Sequence, residues 1–229
     1  LDKTKLVNSV FSKVYKKYDL MNDIMSFGIH RLWKQRFIEW INPLPEAKLI
    51  DVASGTGDIA KLFSKRNNNS SQITCIEPNP EMFEEGKINL KSFTNIKWIK
   101  AHAEKIPLKD NTFDFYTISY GIRNVVDINK TLKEAYRVLK PGGRFMCLEF
   151  SKIDNEIINF FYKRYSKTIP IIGKYIVGAS QPYKYLISSI DQFYNQEELI
   201  ELMINNGFSS TEYRNLSNGV SAIHSGWKI

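Results

Sequence analysis

The sequence predicts an α/β protein built on a doubly wound, mostly parallel sheet of seven strands. Short apolar runs alternate with segments of helical spacing through the middle of the chain, which is the pattern of parallel strands joined by helical crossovers. Several of these runs are apolar at consecutive positions, as strands buried on both faces require. A glycine turn, Gly55-Thr56-Gly57, stands between the first run and the first helical segment, where it lets backbone approach a ligand closely.

Residues 1–45 precede the first predicted strand and show helical spacing of apolar side chains, for example at Val7, Val10 and Phe11. Residues 18–34, YDLMNDIMSFGIHRLWK, form a polar and aromatic patch that is too rich in hydrogen-bonding side chains for an ordinary linker. We interpret this patch as a lid over a pocket. A helical hairpin packed on the domain is the alternative, and the two interpretations are compatible.

The central region contains five predicted strands and three predicted helices. An asparagine-rich loop at residues 66–72 separates the first helix from the second strand, and a Lys-Pro-Gly-Gly turn ends the third helix. The predicted strands are residues 49–52, 72–77, 96–100, 113–120 and 144–150, and the predicted helices begin at residue 59 and span residues 80–90 and 128–139.

The alternation ends after residue 150. Residues 157–190 predict a helical insertion, rich in aromatic residues and lysine, over the carboxyl edge of the sheet. One more helix precedes two short strands, and Ser217-Asn218-Gly219 between them predicts a hairpin that closes the sheet edge. We predict a single domain in four parts: an N-terminal lid (1–45), a cofactor-binding core (46–150), an insertion over the substrate site (151–195), and a closing helix and hairpin (196–229, with the helix at 197–206 and the strands at 211–216 and 221–227).

Composition narrows the possible functions. The 229 residues suffice for one core. The net charge of +8 is compatible with binding to nucleic acid, with binding to an anionic membrane surface, or simply with frequent use of lysine, because the basic residues are spread without a dense block. Cys75 and Cys147 lie far apart in predicted strands and have no zinc-ligand spacing, so we predict no metal site and a reducing compartment. No apolar run reaches the roughly 18 residues that span a bilayer.

Acidic residues around the glycine turn favour S-adenosylmethionine over a dinucleotide as the cofactor. Asp51 ends the first strand and Asp58 follows Gly57 directly. Two carboxylates would repel a diphosphate, whereas S-adenosylmethionine carries an ammonium, a sulfonium and no phosphate. Glycine spacing alone does not discriminate, because the dinucleotide fingerprint tolerates the alanine that stands at position 60.

Later strand ends supply polar residues to the same site. Glu77 ends the second strand, 20 positions after the last glycine, where a carboxylate accepts from both ribose hydroxyls. His102-Ala103-Glu104 follows the third strand, where a methyltransferase reads adenine, and Ser119 ends the fourth, beside the methionine moiety. Because the carboxyl ends of parallel strands meet at one edge of a sheet, we predict one cofactor site formed by Asp51, Gly55, Gly57, Glu77, His102, Ala103 and Ser119.

Several stretches resemble a known family. DVASGTGD resembles the first motif of class I methyltransferases, and AYRVLKPGGRF resembles their later helix and turn. Over residues 11–228 the chain resembles the ubiquinone/menaquinone-biosynthesis C-methyltransferase family. The matching stretches are YDLMNDIMSFGIHRLWK, AHAEKIPL, FDFYTISYGIRNVVD, LEFSK, YKYLISSI and NLSNGVSAIHSGWK, of which GIRN and the N-terminal patch are far more specific than the glycine turn.

The resemblance implies S-adenosylmethionine-dependent methylation of a ring carbon on a polyprenyl quinol, of the 2-polyprenyl-6-methoxy-1,4-benzoquinol type, in ubiquinone biosynthesis. It also implies a peripheral membrane surface, other quinone-biosynthesis proteins and a homodimer as partners. By matching position it implies cofactor contacts at Thr56, Glu77, His102, Ala103 and Ser119. Glu77 stands where members commonly carry aspartate and keeps the carboxylate, while His102 stands where they commonly carry asparagine and is bulkier.

Arg123 and Asn124, just beyond the fourth strand, are the predicted catalytic residues. The reaction needs an electron-rich ring carbon, so we expect the quinol to be the acceptor, with its hydroxyl losing a proton. Arg123 stays charged at any working pH and would stabilise the phenolate or orient a water; its alternative role is a structural clamp on the lid. We expect Tyr18, Asp19 and His30 to line the pocket from the lid.

Other functions stay open from the sequence: a demethylmenaquinol methyltransferase, a methyltransferase for another small molecule or RNA, or a non-catalytic cofactor-binding scaffold. We predict no nucleic-acid partner, because only residues 160–184 approach a basic stripe with interleaved aromatics. That segment suits a membrane surface beside a polyprenyl tail and equally an ordinary cap helix. We predict a location on the matrix side of the mitochondrial inner membrane over a bacterial cytoplasm. This prediction rests on the excess of basic residues, the asparagine-rich loop and a start at Leu1.

Overall fold

The computed structural model describes residues 28–153 and 181–229 without a break. It also describes residues 7, 12, 20, 22, 23 and 26, and residues 155, 156, 159, 160, 162, 164, 165 and 168–170.

Seven strands within these residues form one sheet in the order β3-β2-β1-β4-β5-β7-β6. Strands β1 to β5 pair in parallel, whereas β7 is antiparallel to β5 and β6 is antiparallel to β7. The predicted doubly wound sheet is therefore confirmed, including the hairpin that closes one edge. The strands are β1 (Lys48–Val52), β2 (Gln72–Ile76), β3 (Ile96–Ile99), β4 (Phe113–Ser119), β5 (Leu139–Phe150), β6 (Ser209–Leu216) and β7 (Ser221–Trp227).

Six α-helices lie wholly within the two continuous ranges. Asparagine or aspartate side chains cap the N-termini of the third, fourth and sixth helices by accepting backbone N–H groups. No helix among the described residues has both the length and the apolarity to cross a bilayer. The helices are α1 (His30–Ile41), α2 (Asp58–Arg66), α3 (Pro80–Asn89), α4 (Ile128–Val138), α5 (Gln181–Asp191) and α6 (Gln196–Asn205), and a short 3₁₀ helix spans Ile122–Asn124.

Strand β1 separates two apolar cores, because neighbouring residues of a strand point to opposite faces of the sheet. Leu49 belongs to one core together with Phe37 of α1 and Phe63 of α2. Ile50 belongs to the other core together with Leu132 of α4. All five of these side chains are fully buried, which explains why the strand reads as a continuous apolar run in the sequence.

Strand β5 begins five residues earlier than the sequence predicts. Leu139 already pairs with Phe113, an irregularity follows, and regular parallel pairing resumes at Arg144, where the predicted strand starts. The Lys-Pro-Gly-Gly segment between these two points therefore belongs to the strand as an irregular stretch.

The two predicted helical additions to the core are described in part. Helix α5 confirms the helical prediction at the end of residues 157–190, whereas residues 171–180 lie outside the described residues. Helix α1 confirms the helical prediction for its part of residues 1–45, and most of residues 1–27 lie outside the described residues.

The order of the strands reverses between β1 and β4, which leaves a crevice beyond their carboxyl ends. The first residue after each strand, Ala53 and Tyr120, has a φ of 52° and 53° respectively, in the left-handed region that non-glycine residues rarely occupy. Gly121 allows the two chain segments to meet, because a Cβ there would stand 2.6 Å from the Ala53 Cβ. Backbone strain of this kind is typical of functional sites.

Candidate active site

Two pockets occupy the crevice between β1 and β4. They share Ala53, Gly55, Ser119 and Tyr120, so they form one continuous site. The larger pocket follows the ends of β1 to β4, and the smaller one lies between the glycine turn and α1. Among the predicted cofactor residues, the larger pocket brings together Gly55, Glu77, His102, Ala103 and Ser119, and the smaller one adds Asp51 and Thr56.

Glu77 joins the loops that follow β1 and β2. Its Oε2 accepts a hydrogen bond from the Gly55 backbone N–H at 2.8 Å, and its Oε1 accepts from the Asn79 backbone N–H at 2.9 Å. Burial raises the pKa of Glu77 to about 7, although the two N–H groups oppose this shift. A carboxylate has roughly four acceptor positions, so the side chain keeps capacity for the two hydroxyls of a ribose.

Asp51 is a buried carboxylate at the end of β1. Its Oδ1 accepts a hydrogen bond from Thr117 Oγ1 of the adjacent strand β4 at 2.7 Å. Burial raises the pKa of Asp51 to about 7, and the negative charges of Glu77 and Asp58 act in the same direction. An acid in this environment gains free energy from any cation that comes close.

Two buried polar atoms of the crevice, Asp51 Oδ2 and Ser119 Oγ, have no hydrogen-bond partner among the described residues. A buried polar atom without a partner costs free energy, so such atoms indicate a ligand. The ammonium of S-adenosylmethionine would satisfy the carboxylate oxygen, and its ribose would match Glu77. The residues present therefore fit this cofactor.

The base end of the larger pocket combines predicted and unpredicted residues. Glu104 Oε1 accepts from the Val126 backbone N–H at 2.6 Å, which fixes the loop after β4 next to His102 and Ala103. Met82 of α3 also lines this pocket. Sequence reasoning missed Met82, because its helical spacing resembles that of an ordinary core residue.

The N-terminal segment contributes directly to the pocket. Val7 lines it, and the Ser12 hydroxyl donates to Glu81 Oε2 at 2.9 Å and accepts from Asn79 Nδ2 at 3.2 Å. These contacts bring the segment over the loop that carries Glu77. The larger lid that we predict at residues 18–34 stays a prediction, because most of its residues before 28 lie outside the described residues.

Asn124 lines the larger pocket at the end of the 3₁₀ helix. Its Oδ1 accepts from the Tyr185 hydroxyl at 3.0 Å, and its Nδ2 donates to the Tyr120 carbonyl at 3.3 Å. Because Tyr185 belongs to α5, the insertion predicted over the carboxyl edge of the sheet reaches this side of the pocket.

Arg123 does not line either pocket and instead forms a buried ion pair with Glu149 of β5. It also donates from Nη1 to the Tyr120 carbonyl at 3.0 Å and from Nε to Ser189 Oγ at 3.3 Å. These bonds clamp the 3₁₀ helix to β5 and α5, whereas the sequence alternative placed the clamp on the N-terminal lid. Sequence reasoning missed Glu149, which lies 26 residues further along the chain.

The other predicted residues have different environments. His30 Nδ1 lies 3.0 Å from Ser26 Oγ, outside both pockets, and burial lowers the pKa of His30 to about 4. Gly57 is also outside both pockets; a Cβ there would stand 2.5 Å from Leu90 Cδ1, so packing already requires glycine. Tyr18 and Asp19 lie outside the described residues. Within the described residues no three acidic, cysteine or histidine side chains form a metal site.

Sequence reasoning also missed Lys34, which lines the smaller pocket. Its Nζ donates to Asp58 Oδ2 at 2.6 Å. Burial acts to raise the pKa of Asp58, but the Lys34 ammonium outweighs it and the pKa lies below its usual value. The sequence held no signal for this pair, because nothing in the spacing of residues 34 and 58 indicates contact.

The strand order, the crevice and the donor set define a class I S-adenosylmethionine-dependent methyltransferase. The fold is similar to that of a crystal structure described as an S-adenosylmethionine-dependent methyltransferase, possible histamine N-methyltransferase, from Thermotoga maritima. The TM-score is 0.67 at 23% identity, and the match covers 96% of this chain and 99% of that one.

The model of the ubiE/COQ5 methyltransferase family matches residues 1–228. A Rickettsia bellii protein named ubiquinone/menaquinone biosynthesis C-methyltransferase UbiE is 53% identical, over 100% of this chain and 94% of its own. A Dictyostelium discoideum protein named 2-methoxy-6-polyprenyl-1,4-benzoquinol methylase, mitochondrial, is 43% identical, over 100% of this chain and 83% of its own. The chain belongs to the ubiE/COQ5 methyltransferase family. The predicted family, methyltransferase class and methyl donor are thereby confirmed.

The raised pKa of Asp51 leads to a testable pH dependence. In the folded protein the acid holds its proton up to a pH of about 7, whereas in the unfolded chain it loses the proton near pH 4. The folded state therefore binds more protons between these values, and its stability falls as the pH rises. We expect the wild type to lose about 2 to 4 kcal/mol of unfolding free energy relative to Asp51→Asn from pH 4 to pH 8.

Urea unfolding without cofactor across this pH range measures the difference. Asparagine keeps an oxygen that accepts from Thr117, so the comparison isolates the charge. Glu201→Gln, which changes an exposed carboxyl on α6, is the matched control. A constant difference between the wild type and Asp51→Asn at every pH would contradict the raised pKa.

Proposed function

We propose that this protein transfers a methyl group from S-adenosylmethionine to a ring carbon of a polyprenyl benzoquinol, of the 2-polyprenyl-6-methoxy-1,4-benzoquinol type, in ubiquinone biosynthesis. The observation that carries the substrate class is the 43% identity, over the whole chain, to the Dictyostelium benzoquinol methylase. One oxygen of Asp51, near Glu77, has no partner within the described part of the chain, which supports the methyl donor.

S-adenosylmethionine, when bound, supplies an electrophilic sulfonium methyl. The protein must then make the acceptor carbon electron-rich, and a quinol hydroxyl that loses its proton sends charge onto the adjacent ring carbon. We assign Asn124 to orient this hydroxyl, because its amide lines the pocket and is held by Tyr185 and the Tyr120 carbonyl. A fixed amide costs little reorganisation when charge develops on the oxygen.

We assign Arg123 to stabilise the phenolate through its charge from behind the pocket wall, because its buried guanidinium lines neither pocket. Its Nη1 and Nε are engaged, while no hydrogen bond from Nη2 is found among the described residues. Glu149 keeps the guanidinium in place and offsets the cost of burying its charge. An arginine side chain is a poor base, so we assign Arg123 an electrostatic role.

Mass spectrometry tests the reaction. The protein is incubated with S-adenosylmethionine and a short-tailed demethylated benzoquinol, once with a reductant and once without. We expect a methylated product only in the reduced sample, since a quinone ring is too electron-poor to attack the methyl group. A short-tailed demethylated naphthoquinol is the parallel acceptor, because the name of the Rickettsia relative includes menaquinone.

Methylation of the oxidised benzoquinone would contradict the proposed activation. Product from the naphthoquinol alone would identify a naphthoquinol as the substrate and assign the protein to menaquinone biosynthesis. No product from either acceptor, with S-adenosylmethionine bound, would favour the scaffold alternative.

Asn124→Ala separates turnover from cofactor binding. We expect kcat with the quinol to fall roughly 10- to 1000-fold, because the variant loses the donor and acceptor that orient the reacting hydroxyl. Affinity for S-adenosylhomocysteine, measured by calorimetry, should change less than about threefold. Asn129→Ala is the control, since Asn129 is exposed on α4, lines neither pocket, and has a side-chain oxygen that accepts from Asn206. Wild-type kcat in Asn124→Ala would contradict the assignment.

We propose a peripheral membrane surface beside the substrate side of the pocket. Phe160 is 60% exposed, and Arg164, four residues further along the chain, and Lys184 are exposed as well; exposed aromatic and cationic side chains suit an interface with anionic head groups. Lys184 belongs to the same helix as Tyr185, which contacts Asn124. The proposed location is the matrix side of the mitochondrial inner membrane; the name of the Dictyostelium relative includes the word mitochondrial, and the Rickettsia relative supports the bacterial alternative.

Flotation with anionic vesicles at about 0.05 M and about 0.5 M salt tests this surface. We expect Phe160→Ser to reduce binding at both salt concentrations and Lys184→Gln to reduce it only at low salt, because salt screens charges and not apolar contacts. Ile204→Ser, at an equally exposed apolar site on α6 that is 53% exposed, is the control. Equal vesicle binding by the wild type and all three variants would contradict the proposal.

A further inference from the structure

Lys34 of α1 is buried at the edge of the crevice. Its side chain is 8% exposed, yet the residue lines the smaller pocket together with Asp51, Gly55 and Thr56. Lysine is almost never buried without a partner, because an ammonium loses much hydration free energy on leaving water. The position of Lys34 therefore needs a chemical reason.

The ion pair with Asp58 explains only part of this burial. The Asp58 side chain is 39% exposed, so it remains well solvated without a lysine. An ammonium has three N–H donors, and the bond to Asp58 Oδ2 is the one found among the described residues. Two donors of a buried cation are thus left at the wall of a pocket, where they are suited to an anionic ligand group.

We propose that Lys34 binds the carboxylate of the amino-acid end of S-adenosylmethionine, an inference that rests on the proposed function. The first helix of the described chain then belongs to the cofactor site, in addition to the strand ends. Asp58 keeps Lys34 neutralised and oriented when no ligand is bound.

The arrangement of charges in the smaller pocket supports this assignment. An amino-acid end carries one ammonium and one carboxylate. Counting partners among the described residues, the pocket offers one unpartnered carboxylate oxygen on Asp51 and two unused donors of Lys34. Helix α2 begins beside them at Asp58, and a helix N-terminus favours negative charge as well. A zwitterion is matched at both ends, whereas an uncharged nucleoside satisfies neither the Asp51 oxygen nor the donors of Lys34 that Asp58 does not use.

Calorimetry with three ligands tests the role of Lys34 without turnover. The ligands are S-adenosylhomocysteine, its decarboxylated analogue, which keeps the ammonium, and 5′-methylthioadenosine, which lacks the whole amino-acid end. We expect Lys34→Met to weaken binding of S-adenosylhomocysteine roughly 10- to 100-fold, as for a lost charge-assisted hydrogen bond. Binding of the other two ligands should change less than about threefold.

Two further variants separate ligand binding from a structural role. Asp58→Asn removes the ion pair and keeps the ammonium, so we expect S-adenosylhomocysteine to bind as tightly as in the wild type or more tightly. Lys61→Met, at an exposed lysine one turn further along α2, should leave all three affinities unchanged.

The results that would contradict this inference can be told apart from one another. Equal weakening of all three ligands by Lys34→Met, with the same pattern in Asp58→Asn, would assign the pair to support of α2 and overturn the inference. Unchanged binding of S-adenosylhomocysteine by Lys34→Met would overturn it as well. Failure of the wild type to bind S-adenosylhomocysteine would refute the proposed function itself, and the inference with it.

Discussion

The reversal of strand order between β1 and β4 is the constraint on which the site depends. Parallel strands with right-handed crossovers send helices to opposite faces on either side of this point, so the two crossover helices diverge and leave a gap beyond the carboxyl ends. The residues that follow the two strands, Ala53 and Tyr120, adopt left-handed backbone conformations and turn the chain out of the way. The resulting crevice receives side chains from four strand ends.

Electrostatics then determines what the crevice accepts. Asp51 and Glu77 are buried acids whose pKa values are raised to about 7, which is a free-energy cost for the unliganded protein. Backbone N–H groups offset part of this cost at Glu77, while Asp51 keeps one oxygen without a partner among the described residues. A ligand that brings an ammonium to Asp51 removes the cost, and one that brings a diphosphate increases it. The same acids that destabilise the empty site therefore select the cofactor.

Most of the fold and about half of the site follow from the sequence. Strand ends can be predicted, because an apolar run stops where the chain leaves the sheet, and this alone brings Asp51, Glu77 and Ser119 to one edge. Side-chain pairing between distant segments cannot be predicted, since the spacing of hydrophobic residues and the identity of turn residues carry no information about it. Glu149 and Lys34 were missed for this reason. Gly57 was assigned to the ligand because a turn glycine required by packing looks the same in sequence as one required by a cofactor.

The residues assigned to the cofactor and to the acceptor lie on different elements. Strands β1 to β4 end in the residues that fit the nucleoside cofactor, whereas the 3₁₀ helix after β4 carries the two residues assigned to the acceptor. Arg123 bonds to Glu149 of β5 and to Ser189 of α5, and Asn124 accepts from Tyr185 of the same helix. Any displacement of α5 therefore moves both assigned residues together. Helix α5 also belongs to the face proposed to meet the membrane. The arrival of a lipid-soluble acceptor and the alignment of the residues that activate it therefore both involve this one helix.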